Sequence, residues 1–136
     1  MIYLDTSAAY KLLSREPEAE AVEALFAGGA GLLSSRLLEI ELHATVDRRG
    51  GSHEDVESIV RRVDLDAVDD EVLGHAVALR SGLRAMGALH LSTALLYGGT
   101  VTEMATFDHE LAETAQRFGL DLSAACRGQP TPGRLR

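Results

Sequence analysis

Acidic residues far apart in the chain stand where an α/β architecture would gather them. Asp5 closes the apolar run Ile2-Tyr3-Leu4, Asp108 follows the run from Val101 to Phe107, and Glu39 and Glu41 come soon after the apolar pair Leu32-Leu33. Parallel strands of one sheet bring their carboxyl ends to a common rim, where open α/β sheets bind ligands. Two strand-exit aspartates are therefore expected to meet. A third acid could come from the helix after the second strand, but two residues on a helix are separated by roughly 200° of rotation. Only one of Glu39 and Glu41 can face the rim. Clustered carboxylates repel one another, so they persist at one site when protonated or when a cation neutralises them. Oxygen ligands without a His or Cys cluster favour a hard ion, Mg²⁺ or Mn²⁺. Such an ion polarises a phosphate and lowers the pKa of bound water, which suits phosphodiester hydrolysis. The structural alternative for Asp5 is that it only caps the helix that follows, since Asp is a favoured N-cap.

The elements that must position these acids are legible as an alternation. The short continuous run Ile2 to Leu4 suits a central strand covered on both faces, and Thr6-Ser7 starts a helical stretch through Leu13. Pro17 with its flanking acids opens a second helix, with Ala21, Val22, Leu25 and Phe26 at helical spacing and Gly28-Gly29 as its end. Leu32-Leu33 reads as a buried strand. Ser34-Ser35 caps a helix from about Arg36 through Val46, closed by Gly50-Gly51. Ser52 opens a helix with Val56, Ile59, Val60 and Val63 on one side; Arg61-Arg62 there reads as a solvated face. Asp64 to Val68 is a candidate edge strand, Asp69-Asp70 begins a helix through Arg80, and a further helix runs from near Gly87 to Tyr97. Val101 to Phe107 is the next strand; Leu111, Ala112, Ala115 and Phe118 mark a helix, and Leu120 to Leu122 a last short strand. Strands alternating with helices imply a parallel α/β sheet. The segment from Arg127 to Arg136, with two prolines and two glycines, is expected to be flexible.

Bulk properties narrow the classes. A chain of 136 residues with 46% hydrophobic residues suits one domain, the usual domain size being roughly 100 to 150 residues. The single cysteine, Cys126, excludes an internal disulfide and fits a reducing compartment. Asp5 and Lys11 interrupt any signal-peptide core, and no run reaches the roughly 18 apolar residues of a membrane span, so a cytoplasmic protein is expected. Thirteen basic against 21 acidic residues leave a formal charge of −8. That balance opposes general affinity for a polyanion; any nucleic-acid contact must be local and helped by cations.

Four segments, taken in order, resemble the motifs of the PIN-domain ribonucleases, and most closely the VapC toxins of bacterial type II toxin-antitoxin pairs. They are Met1-Ile2-Tyr3-Leu4-Asp5-Thr6-Ser7-Ala8, Ser34-Ser35-Arg36-Leu37-Leu38-Glu39-Ile40-Glu41-Leu42, Ala88-Leu89-His90-Leu91-Ser92-Thr93-Ala94 and Thr106-Phe107-Asp108-His109-Glu110-Leu111-Ala112. The resemblance covers residues 1 to 122 as a PIN domain and leaves 123 to 136 as a flexible tail. It implies a PIN-like three-layer α/β fold, with a short parallel sheet of about 4–5 strands flanked by helices. It further implies a homodimer and a metal-dependent endoribonuclease restrained by a cognate antitoxin. Asp5, Glu41 and Asp108 match the family's metal-binding acids, with Glu39 facing outward, and Thr6 and Thr106 match hydroxyl residues that support the site. Mg²⁺ or Mn²⁺ is the implied cofactor, with a second ion open. RNA, cut in an unpaired loop to leave a 5′ phosphate and a 3′ hydroxyl, is the implied substrate. An antitoxin Arg could occupy the metal position and pair with the carboxylates.

One departure from the family pattern bears on activity. Where the family has Asp immediately before Ala-Leu-His-Leu, this chain has Gly87, which removes a carboxylate at the start of a helix. Gly is tolerated at an N-cap, so the fold is expected to survive. The expected consequence is a silenced toxin, a naturally weakened nuclease or a catalytically silent module that binds an antitoxin or another protein; the intact surrounding motif favours an inactivating substitution. His90, on a helix rich in Leu and Ala, reads as a packed or hydrogen-bonded histidine before a general base. His43, His53, His75 and His109 show no metal-ligand spacing with one another. A dehalogenase-type phosphatase would need a second Asp where Ser7 stands, and DNA cleavage by a repair-type relative is a further alternative.

Overall fold

The computed structural model describes residues 1–127. Five strands form one wholly parallel sheet in the order β3-β2-β1-β4-β5. They are β1 (Ile2–Leu4), β2 (Leu32–Ser35), β3 (Asp64–Asp66), β4 (Glu103–Ala105) and β5 (Asp121–Leu122). Between them run α1 (Thr6–Ser14), α2 (Ala19–Ala27), α3 (Arg36–Arg49), α4 (His53–Val60), α5 (Asp70–Leu79), α6 (Ala85–Leu96) and α7 (His109–Arg117). The first three strands are laid down successively towards one edge, after which the chain crosses back to place β4 on the other side of β1. The strand order therefore reverses between β1 and β4, the switch point at which such sheets open a crevice.

Strand alternation builds the three layers. Neighbouring residues on a strand point to opposite faces, so Leu4, Leu32 and Ala105 join one apolar cluster while Tyr3, Leu33 and Met104 join another. The first cluster takes Ala8 and Ala9 of α1, Leu38, Leu42 and Val46 of α3, and Val56 and Ile59 of α4. The second takes Leu91 and Ala94 of α6 with Leu111 and Ala115 of α7. The i, i+4, i+8 spacing of Leu38, Leu42 and Val46 is what turns α3 face-down on the sheet. Burial of such side chains, at roughly 1.5–3 kcal/mol each, is the force that holds the helices against the strands.

Several element ends differ from the sequence expectation for identifiable reasons. The ladder at β4 runs only from Glu103 to Ala105. Thr106 leaves it because its hydroxyl turns to Asp5 and to the backbone of Asp108. Helix α6 begins at Ala85 with Arg84 as N-cap, and Arg84 makes no side-chain capping bond; Gly87 is thus the third residue of the helix and not its cap. Beyond residue 122, the expected start of the tail, Ala124–Cys126 form a single 3-10 turn that seats Cys126 in the first core cluster. Burial pushes the Cys126 thiol up to about 11. The remainder of that segment, 128 to 136, lies outside the described residues. Among the described residues no helix is long and apolar enough to cross a membrane.

Candidate active site

The carboxyl ends of β1 and β4 are stitched together by hydroxyls. Tyr3 pairs with Met104 and Leu4 with Ala105, and the Asp5 amide donates to the Ala105 carbonyl at 3.0 Å. This register sets Asp5 beside Thr106. Asp5 Oδ2 accepts hydrogen bonds from Thr106 Oγ1 at 2.8 Å and Ser7 Oγ at 2.7 Å, and from the Ser7 amide at 3.3 Å as the cap of α1. Ser7 Oγ in turn accepts from the Phe107 amide at 2.8 Å, and Thr106 Oγ1 from the Asp108 amide at 3.0 Å. Asp108 caps α7 by accepting from the Leu111 amide through Oδ1, at 3.1 Å. Capping and rim placement, posed as alternatives for Asp5, hold together, because the two oxygens of a carboxylate can serve different partners.

Glu41 reaches the same crevice from α3, and Glu39 lies on the opposite side of that helix, paired with Arg36 at 3.1 Å. Glu41 Oε1 accepts from Thr6 Oγ1 at 2.6 Å and meets His90 Nε2 at 2.8 Å. His90 is buried on α6, its Nδ1 2.7 Å from the Tyr3 hydroxyl and its Nε2 3.6 Å from Asp5 Oδ1. Burial opposes a charge on His90, yet the hydrogen bond to Glu41 and the fields of Asp5 and Glu41 outweigh it and raise its pKa. Burial likewise opposes ionisation of Glu41, and the bonds from His90 and Thr6 reverse that and lower its pKa.

Asp5, Thr6, Ser7, Glu41, Gly87, His90 and Asp108 all line one cleft of about 270 Å³. Each acid engages protein hydroxyls, imidazole or amides through one oxygen. Among the described residues Glu41 Oε2 and Asp108 Oδ2 make no hydrogen bond, and Asp5 Oδ1 has only the distant His90. At Gly87 an added Cβ would meet only the Leu83 side chain, at 3.6 to 3.9 Å, which is ordinary contact. An aspartate there is therefore sterically admissible.

The cleft contains residues that sequence reasoning did not single out. Thr45, Arg48 and Arg49 line it from α3, and Tyr10 from α1. Their signal was available: Glu41, Thr45 and Arg48 follow at i, i+4 and i+7, one helical stripe. Ser7 and Tyr3 carried no such signal, since their roles depend on cross-strand register. The histidines, expected to show no metal-ligand spacing with one another, share no ligand group among the described residues, but His43 and His53 lie with their Nδ1 atoms 2.7 Å apart, and Glu39, His43 and Glu57 offer ligand atoms within 4.8 Å of one another. The turn at Gly50-Gly51 folds α4 back along α3 and brings them together.

Residues 2–117 of this chain, whose acid-lined cleft opens at the switch point of a parallel sheet, match the family model described as PIN domain; the chain belongs to that family. Within it, the chain groups with the VapC proteins. Ribonuclease VapC46 of Mycobacterium tuberculosis is 32% identical over 125 residues, which span 90% of this chain and 96% of the relative. Ribonuclease VapC35 of the same species is 34% identical over 132 residues, 91% of this chain and 96% of the relative. A solved structure described as a toxin-antitoxin complex from Klebsiella pneumoniae shares the fold at a TM-score of 0.65 and 21% identity, covering 79% of this chain and 87% of that one.

The His90–Glu41 contact makes stability depend on pH. A raised His90 pKa contributes stability that is full below its ordinary value of 6.5 and is lost as pH rises through the raised value. A lowered Glu41 pKa contributes stability that is full above 4.5 and is lost as pH falls through the lowered value. In chelator-treated protein, the Tm advantage over His90→Gln is expected to be largest between these two values and to narrow as pH rises further. A constant difference across the alkaline range would show that the contact carries no net charge interaction.

Proposed function

We propose that the chain is the toxin of a toxin-antitoxin pair, a metal-dependent endoribonuclease that hydrolyses RNA phosphodiester bonds and is neutralised by a cognate antitoxin. The observation that carries this reading is the convergence of Asp5, Glu41 and Asp108 on one cleft with an unengaged or barely engaged oxygen on each. That donor set fits a hard divalent ion, Mg²⁺ or Mn²⁺. Such an ion, when bound, would polarise the scissile phosphate and supply an activated water.

The remaining roles belong to the chain's own side chains. Thr106 and Ser7 would hold Asp5 by one oxygen, leaving the other turned to the ligand. Thr6 and His90 would do the same for Glu41, with the Tyr3 hydroxyl fixing the imidazole behind it. Arg48 and Arg49 are the arginines that line the cleft among the described residues. On a chain of net charge −8, they are the groups able to receive phosphates flanking the scissile one. The Arg49 guanidinium lies 5.5 Å from the Tyr10 ring centroid, so an unpaired base could stack on the same aromatic platform. Unpaired RNA fits a recessed site of this kind better than a duplex, because its bases can be splayed.

The same unengaged oxygens would accept a bidentate guanidinium, so an antitoxin Arg is proposed to sit where the ion does. Its replacement by Ala should weaken inhibition, and unchanged inhibition would rule out that contact. Exposed Leu73 and Val77, one turn apart on α5, together with exposed Ile40 on α3, support a homodimer, to be checked by sedimentation equilibrium. A cytoplasmic site of action accords with an RNA substrate and the unpaired Cys126, and localisation of the tagged chain would test it.

Gly87 favours a second reading, a silent module that keeps the antitoxin surface without turnover. Gly87→Asp separates the two. Loss of a group supporting a metal site typically costs about 10- to 100-fold in affinity or activity, so its restoration should raise Mg²⁺-dependent RNA cleavage at least about tenfold. A variant that stays inert, binds no divalent ion and still captures antitoxin would favour the module. Arg48→Ala should reduce the slope of log binding constant against log salt for a single-stranded oligonucleotide by about 0.7, the loss of one phosphate contact. An unchanged slope would take Arg48 out of the RNA path.

A further inference from the structure

The outward side of α3 carries a second group of ligand-bearing side chains, separate from the acid rim. Glu39 and His43 stand one turn apart on α3, and Glu57 faces them from α4; their ligand atoms lie within 4.8 Å of one another. His43 Nε2 is 2.9 Å from Glu57 Oε1, His43 Nδ1 is 2.7 Å from His53 Nδ1, and His53 Nε2 is 3.0 Å from Asp47 Oδ1. The two rings are stacked, with centroids 5.0 Å apart.

Counting protons along this chain shows what it lacks. Three contacts, to Glu57, between the rings and to Asp47, each need one N–H. Two neutral imidazoles supply one each. All three contacts are met only if one ring carries an extra proton, or if a different cation takes the place of the proton between His43 Nε2 and Glu57. With a metal ion on Nε2, His43 keeps its proton on Nδ1 and donates it to His53 Nδ1, and His53 donates from Nε2 to Asp47. Both rings are then neutral and every remaining contact is satisfied, the arrangement in which a ligating histidine is oriented by the acceptor of its other N–H.

We propose that Glu39, His43 and Glu57 form a binding site for a Zn²⁺-class transition-metal ion, with His53 and Asp47 fixing the tautomer of His43. One imidazole and two carboxylates suit Zn²⁺, whereas the oxygen-only rim suits Mg²⁺ or Mn²⁺. Arg36 competes for Glu39 at one oxygen, Oε1, while Oε2 makes no hydrogen bond among the described residues; with its side chain 61% exposed, Arg36 is able to swing away. The bound ion would pin α3 to α4. Since Glu41 rides on the same helix, it would also steady the rim from behind.

The test is calorimetric titration of the intact chain with ZnCl₂, alongside its thermal denaturation. Asp5→Asn/Asp108→Asn, which disables the rim, should retain one Zn²⁺ and the accompanying rise in Tm, and excess Mg²⁺ should not displace it. His43→Ala should abolish that event and with it the visible absorption of a Co²⁺ substitute. Glu57→Gln, on an exposed side chain, should weaken it at least about tenfold and decides the matter if His43→Ala does not fold. Wild-type Zn²⁺ affinity in Glu57→Gln and in folded His43→Ala, or loss of binding in the rim variant alone, would overturn the proposal. RNA cleavage is not the readout, so this result stands or falls apart from the nuclease reading.

Discussion

The parallel pairing of β1 with β4 is the constraint on which the site depends. It sets Leu4 opposite Ala105, so the next residue of each strand, Asp5 and Thr106, must emerge side by side. From that one register follow the Thr106 and Ser7 hydrogen bonds to Asp5, the Asp108 amide bond to Thr106 and the placement of Asp108 at the start of α7. A slip of one residue would turn Tyr3 and Leu4 to the wrong faces and carry every one of these contacts away. The apolar clusters on both faces of the sheet guard the register, and packing in the core thereby becomes accuracy at the rim.

Electrostatics explain how carboxylates can converge in a partly buried place. Ordinarily, burial opposes a carboxylate's charge. Here each acid has local hydrogen-bond partners. Asp5 has two hydroxyls and an amide, Asp108 has the first turn of α7, and Glu41 has a hydroxyl and a buried imidazole. These partners draw on one oxygen of each carboxylate, and among the described residues Glu41 Oε2 and Asp108 Oδ2 make no hydrogen bond. His90 is placed as the packed, hydrogen-bonded histidine of the sequence reading: it is buried on α6, tethered by Tyr3 and in contact with an acid of the rim.

How far the site was legible depended on the range of the signal. Asp5 and Asp108 were readable because each follows an apolar run and starts a helix, so strand exit and N-cap are both local patterns. Glu41 was separable from Glu39 by helical rotation together with the family resemblance. The start of α6 was misplaced because Arg84, an N-cap without a capping side chain, leaves no mark in the sequence. Thr106 was expected to continue a strand, and its departure follows from a hydrogen bond to a residue 101 positions earlier, which no local window contains. The pairing of His43 with His53 escaped for a related reason. A spacing of ten residues has no helical meaning until the Gly50-Gly51 turn, with both φ values positive, reverses the chain.

The two borders of the sheet carry a consequence for the protein at high concentration. At one border β3 is three residues long and begins and ends in Asp64 and Asp66; at the other β5 is two residues long and begins with Asp121. Backbone groups left unpaired along an outer strand are a template on which a foreign chain can add and propagate into fibrils. Brevity denies such a chain enough ladder to hold, and the carboxylates would force negative charge against whatever docked there. Among the described residues, neither border thus offers the long, neutral ladder on which a second copy could extend the sheet.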